Sequence, residues 1–339
     1  MSAFGKSRDF LVYLAALIPY KVIRILPYCA VRAGARFGGE IMNLIPSIRK
    51  LVQANIRVAF PEYSAAEVAG VGRRSLCHLT RNIVEFIWLN GRPDRIERCY
   101  FLPPDVTEQL KEHVARGERI IFVNPHLGSW EASGVMAPYY AGVDMVAIAK
   151  PVRNPYLNRM INSGNREKVK GLEIIFSNGA IRAATKALRN GRGVGTLIDQ
   201  NTRVRDGGSF VEFFGLPVPS STAPAHLMKY CIAHELPAVI VYGASVRHED
   251  GRIHAHSACL PKPFAEYHDE TEVLQDLMKI SESYIRRYPD QYLWFYSRFQ
   301  HIEPTCPEAL KKRYPDYARV VGPHFYRKTS ADIKATLHD

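Results

Sequence analysis

Paired cysteines are missing from this sequence. Its six cysteines are scattered along 339 residues, and none belongs to a C-x-x-C motif or another short paired spacing. Such spacings mark disulfide frameworks and structural zinc sites, so the thiols are expected to be reduced. The second histidine of an H-E-x-x-H motif is missing as well, since His234-Glu235 stands without it. The sequence therefore predicts no metal site and no bound cofactor.

A long uninterrupted apolar run is also absent. The most apolar stretch, FLVYLAALIPYKVIRIL over residues 10–26, is broken by Pro19, Lys21 and Arg24, whereas a membrane-spanning helix needs roughly 20 apolar residues. It also has no small-residue cleavage site of the signal-peptide kind. Because basic and apolar side chains interleave here, we expect a helix lying in the headgroup layer of an anionic membrane. A short or tilted span, or a helical hairpin packed on the main domain, are the alternatives.

Acidic residues are scarce relative to basic ones. Lys and Arg number 45 against 33 Asp and Glu, which gives a formal net charge of +12 at pH 7. A basic surface attracts nucleic acid, anionic membranes, phosphorylated substrates and acidic carrier proteins alike, and charge alone does not separate them. No block of five or more Lys or Arg supports a nucleic-acid-binding tail, so nucleic acid is not an expected partner.

The hydrophobic pattern changes near residue 100. Upstream, apolar residues recur every three or four positions, as in amphipathic helices; downstream, short apolar strands alternate with helical segments, one of them over 155–169, as in βαβ units. A hairpin is predicted across His248–Gly251. The sequence thus predicts an α/β fold with a mostly parallel central sheet flanked by helices. Its expected parts are a helical membrane-associated region over 1–100, an α/β domain over 101–305 and an irregular tail over 306–339.

The sharpest candidate for chemistry is HLGSWE, residues 126–131, in a loop that leaves the buried strand IIFV. The loop can fold His126 and Glu131 together, and a histidine beside a carboxylate can remove a proton from a hydroxyl as that hydroxyl attacks a thioester. Gly128 allows a tight turn, and nearby backbone amides are expected to help hold the oxyanion. An ordinary surface histidine followed by a helix-starting glutamate is the alternative, because an H-x-x-x-x-E pair arises often by chance.

Further motifs follow in order along the chain. They are NPHLGSWE (124–131), KPVRNPYLN (150–158), Arg166 with Gly171 downstream, DQNTRVRDGGSFVEFFGLPVPSSTAPAHL (199–227) and QYLWFYSRF (291–299). Together they resemble the lysophospholipid acyltransferase superfamily and, within it, the late acyltransferases of lipid A biosynthesis.

The resemblance implies transfer of a fatty acyl chain from an acyl carrier protein thioester, or from acyl-coenzyme A, to a hydroxyl of a membrane lipid. A lipid A precursor is the expected acceptor, and the cytoplasmic face of the bacterial inner membrane is the expected location. An acyltransferase acting on another glycolipid, a lysophospholipid or an aminolipid is the alternative. A hydrolase is disfavoured because no G-x-S-x-G nucleophile elbow is present. From another class, a non-catalytic basic protein that binds membranes or nucleic acid remains an alternative.

Carried over residue by residue, the resemblance implies that His126 is the general base and Glu131 the carboxylate that orients it. The remaining matched positions are expected to bind substrate: Asn124, Gly128, Lys150, Arg166, Asp199, Gln200 and Arg298. The aromatic side chains expected to line an acyl channel are Phe210, Phe213 and Phe214. The alternatives without a role in substrate binding are that Asp199 and Gln200 brace the loop and that Arg166 is a charge on a helix surface. The three phenylalanines would then be ordinary core residues.

Three departures from the family pattern stand beside these matches. Ser129 replaces the usual asparagine, Lys150 replaces an arginine, and Tyr296-Ser297 replace part of a basic cluster. Lysine keeps the positive charge but lacks the bidentate fork that suits phosphate. The substitution leaves room for an acceptor other than the usual phosphorylated disaccharide.

Overall fold

The structure, a computed structural model, describes residues 3–89, 91–176 and 179–327. The helices are α1 (Ala3–Ile25), α2 (Tyr28–Leu44), α3 (Pro46–Ala59), α4 (Ala65–Leu89), α5 (Pro93–Cys99), α6 (Pro104–Ala115), α7 (Trp130–Ala141), α8 (Pro155–Ile161), α9 (Ala180–Arg189), α10 (Ala223–Ala233), α11 (Glu270–Arg287) and α12 (Glu308–Lys311). The strands are β1 (Tyr100–Phe101), β2 (Arg119–Asn124), β3 (Met145–Ala149), β4 (Leu172–Phe176), β5 (Gly193–Leu197), β6 (Gly208–Phe213), β7 (Leu216–Ser221), β8 (Ala238–Arg247), β9 (Ile253–Ala258), β10 (His301–Ile302) and β11 (Arg319–Val320).

A seven-stranded sheet in the order β1-β9-β8-β2-β5-β3-β4 forms the centre of the molecule. Within this sheet, β8 and β9 are the only antiparallel neighbours and form the predicted hairpin, and the other neighbouring strands are parallel. The prediction of a mostly parallel central sheet flanked by helices is confirmed.

Both faces of the sheet are buried at its central strand β2, as is usual for parallel strands covered by helices. Along β2, Ile121 and Val123 pack into one hydrophobic cluster, while Ile120 and Phe122 pack into a second cluster on the opposite face. The continuous apolar run IIFV therefore serves two core layers at once.

Helices α1–α5 occupy residues 3–99, upstream of the sheet. The α2 and α4 helices pack closely at Gly39, where an added Cβ would lie 2.5 Å from the Cα of Cys77. None of the helices in the described part of the chain has the length and apolar character that crossing a bilayer requires.

The helix predicted over 155–169 is shorter than expected. It ends at Ile161 and is followed by a turn and a 3-10 helix at Arg166–Lys168. At Gly164 the chain is so tight that a Cβ would lie 2.2 Å from the carbonyl oxygen of Met160. The Asn162 side chain donates to Oδ1 of Asn158 and accepts from Nη1 of Arg166, so it ties the end of α8 to the 3-10 helix that follows.

The C-terminal segment contains more structure than the irregular tail expected over 306–339. Strand β11 pairs with β10 in parallel, α12 forms a short helix, and Tyr314 and Phe325 are buried. Residues 328–339 of the expected tail lie outside the described residues.

Candidate active site

Strand register brings His126 and Asp199 together. Strands β2 and β5 are parallel neighbours, and their register pairs Asn124 with Leu197. His126 and Asp199 each lie two residues beyond that pair, at the carboxyl edge of the sheet. This edge is where open α/β sheets place their ligands and functional groups.

Asp199 holds both the ring and the backbone of His126. The distance from Nδ1 of His126 to Oδ1 of Asp199 is 2.7 Å, and the His126 backbone N–H donates to Oδ2 at 2.8 Å. With Nδ1 donating to the carboxylate, the lone pair lies on Nε2, which is 3.2 Å from the amide nitrogen of Gln200. Asp199 therefore holds the imidazole through one oxygen and the backbone that carries it through the other.

The Asp199 carboxylate is ionised despite its burial. Burial alone would raise the pKa of Asp199, but the electrostatic attraction of His126, the two hydrogen bonds from His126 and the charge of Arg298 outweigh it, and the pKa lies below its ordinary value. A carboxylate that keeps its charge can stabilise a protonated imidazole next to it.

The loop that carries His126 is clamped to its surroundings at Gly128. This residue has φ +58°, and a Cβ there would lie 2.0 Å from the carbonyl oxygen of Ser245. Its N–H donates to the carbonyl of Gln291 at 2.9 Å, and the next N–H, of Ser129, donates to the carbonyl of Ser245 at 2.7 Å. Backbone amides near Gly128 were expected to help hold the oxyanion, but these two already donate to carbonyls within the protein.

Glu131 does not lie on the imidazole in the role that its position in the sequence suggested. It stands in the first turn of α7, where its carboxylate pairs with Arg166: Nε of the arginine donates to Oε2 at 2.9 Å, and Nη2 donates to Oε1. Arg166 also donates to Oδ1 of Asn162 at 2.8 Å. The carboxylate on His126 Nδ1 is that of Asp199, because strand register outweighs nearness along the chain.

A cavity of about 380 Å³ opens between the sheet and α7. Its polar lining contains six of the nine residues expected to act in catalysis or substrate binding: Asn124, His126, Glu131, Lys150, Arg166 and Gln200. Its apolar lining includes Phe122, Val135, Met145, Ala147, Leu172, Ile174 and Leu197. We call it the catalytic cavity. Lys150 is exposed there, and Asn124 is fixed by donating to Ser133 Oγ at 2.9 Å and to the Gly243 carbonyl at 2.8 Å.

A second cavity, of about 360 Å³, adjoins the first. The two share Phe86, Trp130, Glu131 and Arg166 as lining residues. We call the second one the apolar cavity, because α1, α4 and α8 line it mostly with hydrocarbon.

The three phenylalanines expected to line an acyl channel lie elsewhere. Phe213 and Phe214 are buried in the core, and Phe214 contacts the ring of Trp294. Phe210 packs against Phe325. None of the three lines either cavity, because β6 and β7 form a separate two-stranded hairpin that packs on α11.

Arg298 is buried, and its guanidinium donates hydrogen bonds to other groups of the protein. Its Nη1 donates to Oδ1 of Asn201 and to the carbonyl of Pro219, both at 2.8 Å. Tyr296 accepts a hydrogen bond from the Asn201 N–H at 3.0 Å. Burial lowers the pKa of Arg298 from its ordinary value. The segment 291–299 therefore braces the loop that follows Asp199 and Gln200.

Sequence reasoning missed two supporting residues, Gln291 and Asn201. The Gln291 side chain accepts from the Arg247 N–H at 2.8 Å and donates to the Arg247 carbonyl at 2.9 Å, which ties the Gly128 clamp to β8. Both residues lie inside motifs noted in the sequence, but a polar side chain that bonds to backbone carries no spacing signal of its own.

Comparison with known proteins gives a consistent result. Residues 1–301 match the family model described as bacterial lipid A biosynthesis acyltransferase. Relatives from Escherichia coli (strain K12) include the lipid A biosynthesis palmitoleoyltransferase, 24% identical over 291 residues (85% of this chain, 88% of the relative). The myristoyltransferase is 23% identical over 284 residues (82% and 83%), and the lauroyltransferase is 22% identical over 317 residues (91% and 95%).

Proposed function

The chain belongs to the bacterial lipid A biosynthesis acyltransferase family and is an O-acyltransferase, and on that premise we propose that it transfers a fatty acyl chain from a thioester to a hydroxyl of a lipid A precursor. The observation that carries the mechanism is the His126–Asp199 pair: Asp199 holds Nδ1 of His126, and Nε2, 3.2 Å from the amide nitrogen of Gln200, belongs to a residue that lines the catalytic cavity.

In the proposed reaction His126 is the general base. The acceptor hydroxyl gives its proton to Nε2 as its oxygen attacks the thioester carbonyl, and Asp199 stabilises the imidazolium that forms. The tetrahedral intermediate then collapses: the carbon–sulfur bond breaks, and the leaving thiolate takes the proton from the imidazolium. The products are an ester and a free thiol, and no acyl-enzyme is formed.

Gln200 and Lys150 have distinct proposed roles. The Gln200 amide, 3.2 Å from Nε2 of His126, is placed to donate to the oxyanion that develops on the thioester carbonyl. Lys150 is exposed and lines the same cavity, where its ammonium suits a phosphate of the donor or of the acceptor. Acyl carrier protein and acyl-coenzyme A both present such a phosphate.

The acyl chain of the donor is proposed to lie in the deep part of the catalytic cavity. The walls there are apolar side chains of β2, β3 and β4, together with Gly134 of α7 and Gly195 of β5. Met145 packs directly on the backbone of Gly195, since a Cβ at Gly195 would lie 2.8 Å from the Cε of Met145. This site replaces the channel of Phe210, Phe213 and Phe214 that the sequence suggested.

Membrane association is proposed through α1 and α2. Large apolar side chains stand exposed on both helices, among them Ile18 (70% exposed), Ile25 (80%), Phe37 (69%) and Leu44 (72%). Basic side chains on the same helices, Lys21, Arg24, Arg32 and Arg36, suit the phosphates of an anionic leaflet. The proposed location is the cytoplasmic face of the bacterial inner membrane.

The proposal is tested by labelled acyl transfer in detergent micelles. Acyl carrier protein and coenzyme A thioesters are offered separately, each with a lipid A precursor, another glycolipid, a lysophospholipid and an aminolipid. We expect ester product on the lipid A precursor, and a loss of roughly a thousandfold in His126→Ala, within the range for a general base and its positioning. Equal activity of the variant contradicts the mechanism, and product only on another lipid contradicts the acceptor.

A further inference from the structure

The apolar cavity has a defined outer wall. Ala16 and Tyr20 of α1 line one side, Ile83 of α4 and Leu157 and Met160 of α8 line others. Nearly all of this lining is hydrocarbon, which is the composition of a pocket for a chain-like apolar ligand.

Helix α1 is fastened over this cavity by specific bonds. Tyr20 donates its hydroxyl to the carbonyl of Gly164 at 3.0 Å, and the Asn154 amide donates to the carbonyl of Asp9 at 2.7 Å. The ring of Tyr156 also packs on Phe10. Since α1 is held at both of these places against the α8 region, the cavity beneath it is a built feature of the fold.

The outward side of the same helix points to the source of the ligand. Leu14 and Ile18 are exposed there, while Ala16 lines the cavity. A ligand that reaches a cavity beside such a helix comes most directly from an apolar phase, because the exposed apolar face is the part of α1 suited to lipid. The thioester donor arrives on a water-soluble carrier, whereas the acceptor is itself a membrane lipid.

We infer that the apolar cavity holds a hydrocarbon chain of the lipid acceptor. The shared wall of Phe86, Trp130, Glu131 and Arg166 then separates the acceptor's chain from the donor's chain, with the reacting groups meeting at His126. The inference rests on the proposed function and adds where the acceptor is held.

A pair of substitutions on α1 tests whether the acceptor's hydrocarbon chain binds in the apolar cavity. Ala16→Trp fills the cavity, whereas Ala15→Trp places the same indole on the exposed side of the helix. With a lipid A precursor as acceptor and a thioester of fixed chain length as donor, we expect Ala16→Trp to raise the acceptor KM about tenfold, the effect of blocking part of a binding pocket. The donor KM and the preferred donor chain length stay unchanged, and Ala15→Trp behaves as wild type.

Either of two results overturns this assignment. If Ala16→Trp shifts the preferred donor length or raises the donor KM, the cavity belongs to the donor. If both variants match wild type, the cavity binds neither chain in the reaction. These outcomes differ from failure of the proposed function, in which the wild-type enzyme itself transfers no acyl group to the lipid A precursor.

Discussion

The two carboxylates near the catalytic cavity differ in how deeply each is buried and in the group to which each is bonded. Asp199 is 1% exposed and bonds to both the ring and the backbone of His126. Glu131 stands at the cavity wall with its side chain 23% exposed and is paired with Arg166, 19% exposed. A carboxylate enclosed with its imidazole is preorganised for proton transfer, whereas an ion pair on a wall is open to rearrangement by substrate.

The comparison also shows why nearness along the chain misleads. Glu131 is five residues from His126, and Asp199 is 73 residues away. Parallel pairing of β2 with β5 cancels the second distance, while the start of α7 at Trp130 turns Glu131 toward the segment after α8. Replacing Asp199 and replacing Glu131 are therefore predicted to change the kinetic constants of acyl transfer in different ways.

The largest effect is expected for Asp199→Asn. Loss of the carboxylate removes the charge that stabilises the imidazolium and permits the wrong tautomer, which in comparable triads lowers kcat by roughly 10⁴. We expect kcat to fall by a factor on the order of 10³ or more with little change in either KM. Steady-state kinetics with both substrates varied will measure it, and circular dichroism will show whether the variant is folded. A loss below about tenfold is inconsistent with Asp199 as the partner of the base.

Gly128→Ala should damage the same region through the backbone. The substitution forces a Cβ into a positive-φ position, 2.0 Å from the Ser245 carbonyl oxygen. We expect the free energy of unfolding to fall by about 3 kcal/mol, typical of a strained and clashing site, and activity to fall with it. Denaturant titration measures the change.

Gly117→Ala is the matched control. Gly117 also has a positive φ, +68°, but no atom lies within 4 Å of its added Cβ. The loss of stability in Gly117→Ala therefore measures the backbone strain alone, about 1 kcal/mol. If the two variants lose equal stability, the contact with Ser245 contributes nothing to holding the His126 loop.

A smaller and kinetically different effect is expected for Glu131→Gln. The change leaves the His126–Asp199 pair intact but weakens the hold on Arg166, so the wall shared by the two cavities loosens. We expect kcat/KM to fall by about tenfold, mostly through KM, as for a positioning contact. Arg166→Lys, which keeps the charge but loses the bidentate geometry, should give a similar KM effect. A loss in Glu131→Gln as large as that of Asp199→Asn would return Glu131 to the catalytic role that the sequence suggested.

The smallest effect concerns acid stability. The pKa of Asp199 is lowered in the folded protein, so its contribution to stability is fully present above the unfolded value of about 3.9 and is lost as pH falls through the folded value. Below about pH 4, the free energy of unfolding of wild type should therefore fall more steeply than that of Asp199→Asn. Denaturant titrations at several pH values compare the slopes. Parallel curves are inconsistent with a charged Asp199 in the native state.

Much of the fold could be predicted from the sequence, because strand and helix periods alternate clearly between residues 119 and 198. The predicted length of α8 was wrong, since the asparagines at 158, 162 and 165 form hydrogen bonds that a hydrophobic pattern does not show. The aromatic run FVEFF indicated apolar surroundings correctly but not which ones. A core and a channel require the same residue types.

The members of the candidate site were easier to predict than their partners. His126, Asp199 and Gln200 follow strands, where functional groups of α/β proteins lie, but strand order in the sheet decides which strand ends are neighbours. The sequence does not state that order. Arg298 looked like a ligand for substrate because it is charged, yet its burial beside Asn201 and Ser220 gives it a bracing role in this structure.

The most direct test of the His126–Asp199 pair is a double-mutant cycle on acyl transfer, with Asp199→Asn and Glu131→Gln each measured in the wild-type and His126→Ala backgrounds. Residues that act as one unit are strongly non-additive. If Asp199 works through His126, Asp199→Asn will cost little further activity once His126 is gone, whereas Glu131→Gln will keep its full factor. If Asp199→Asn still loses its full factor without His126, the assignment of Asp199 as the partner of the base is contradicted, and if Glu131→Gln loses none there, Glu131 also acts through His126.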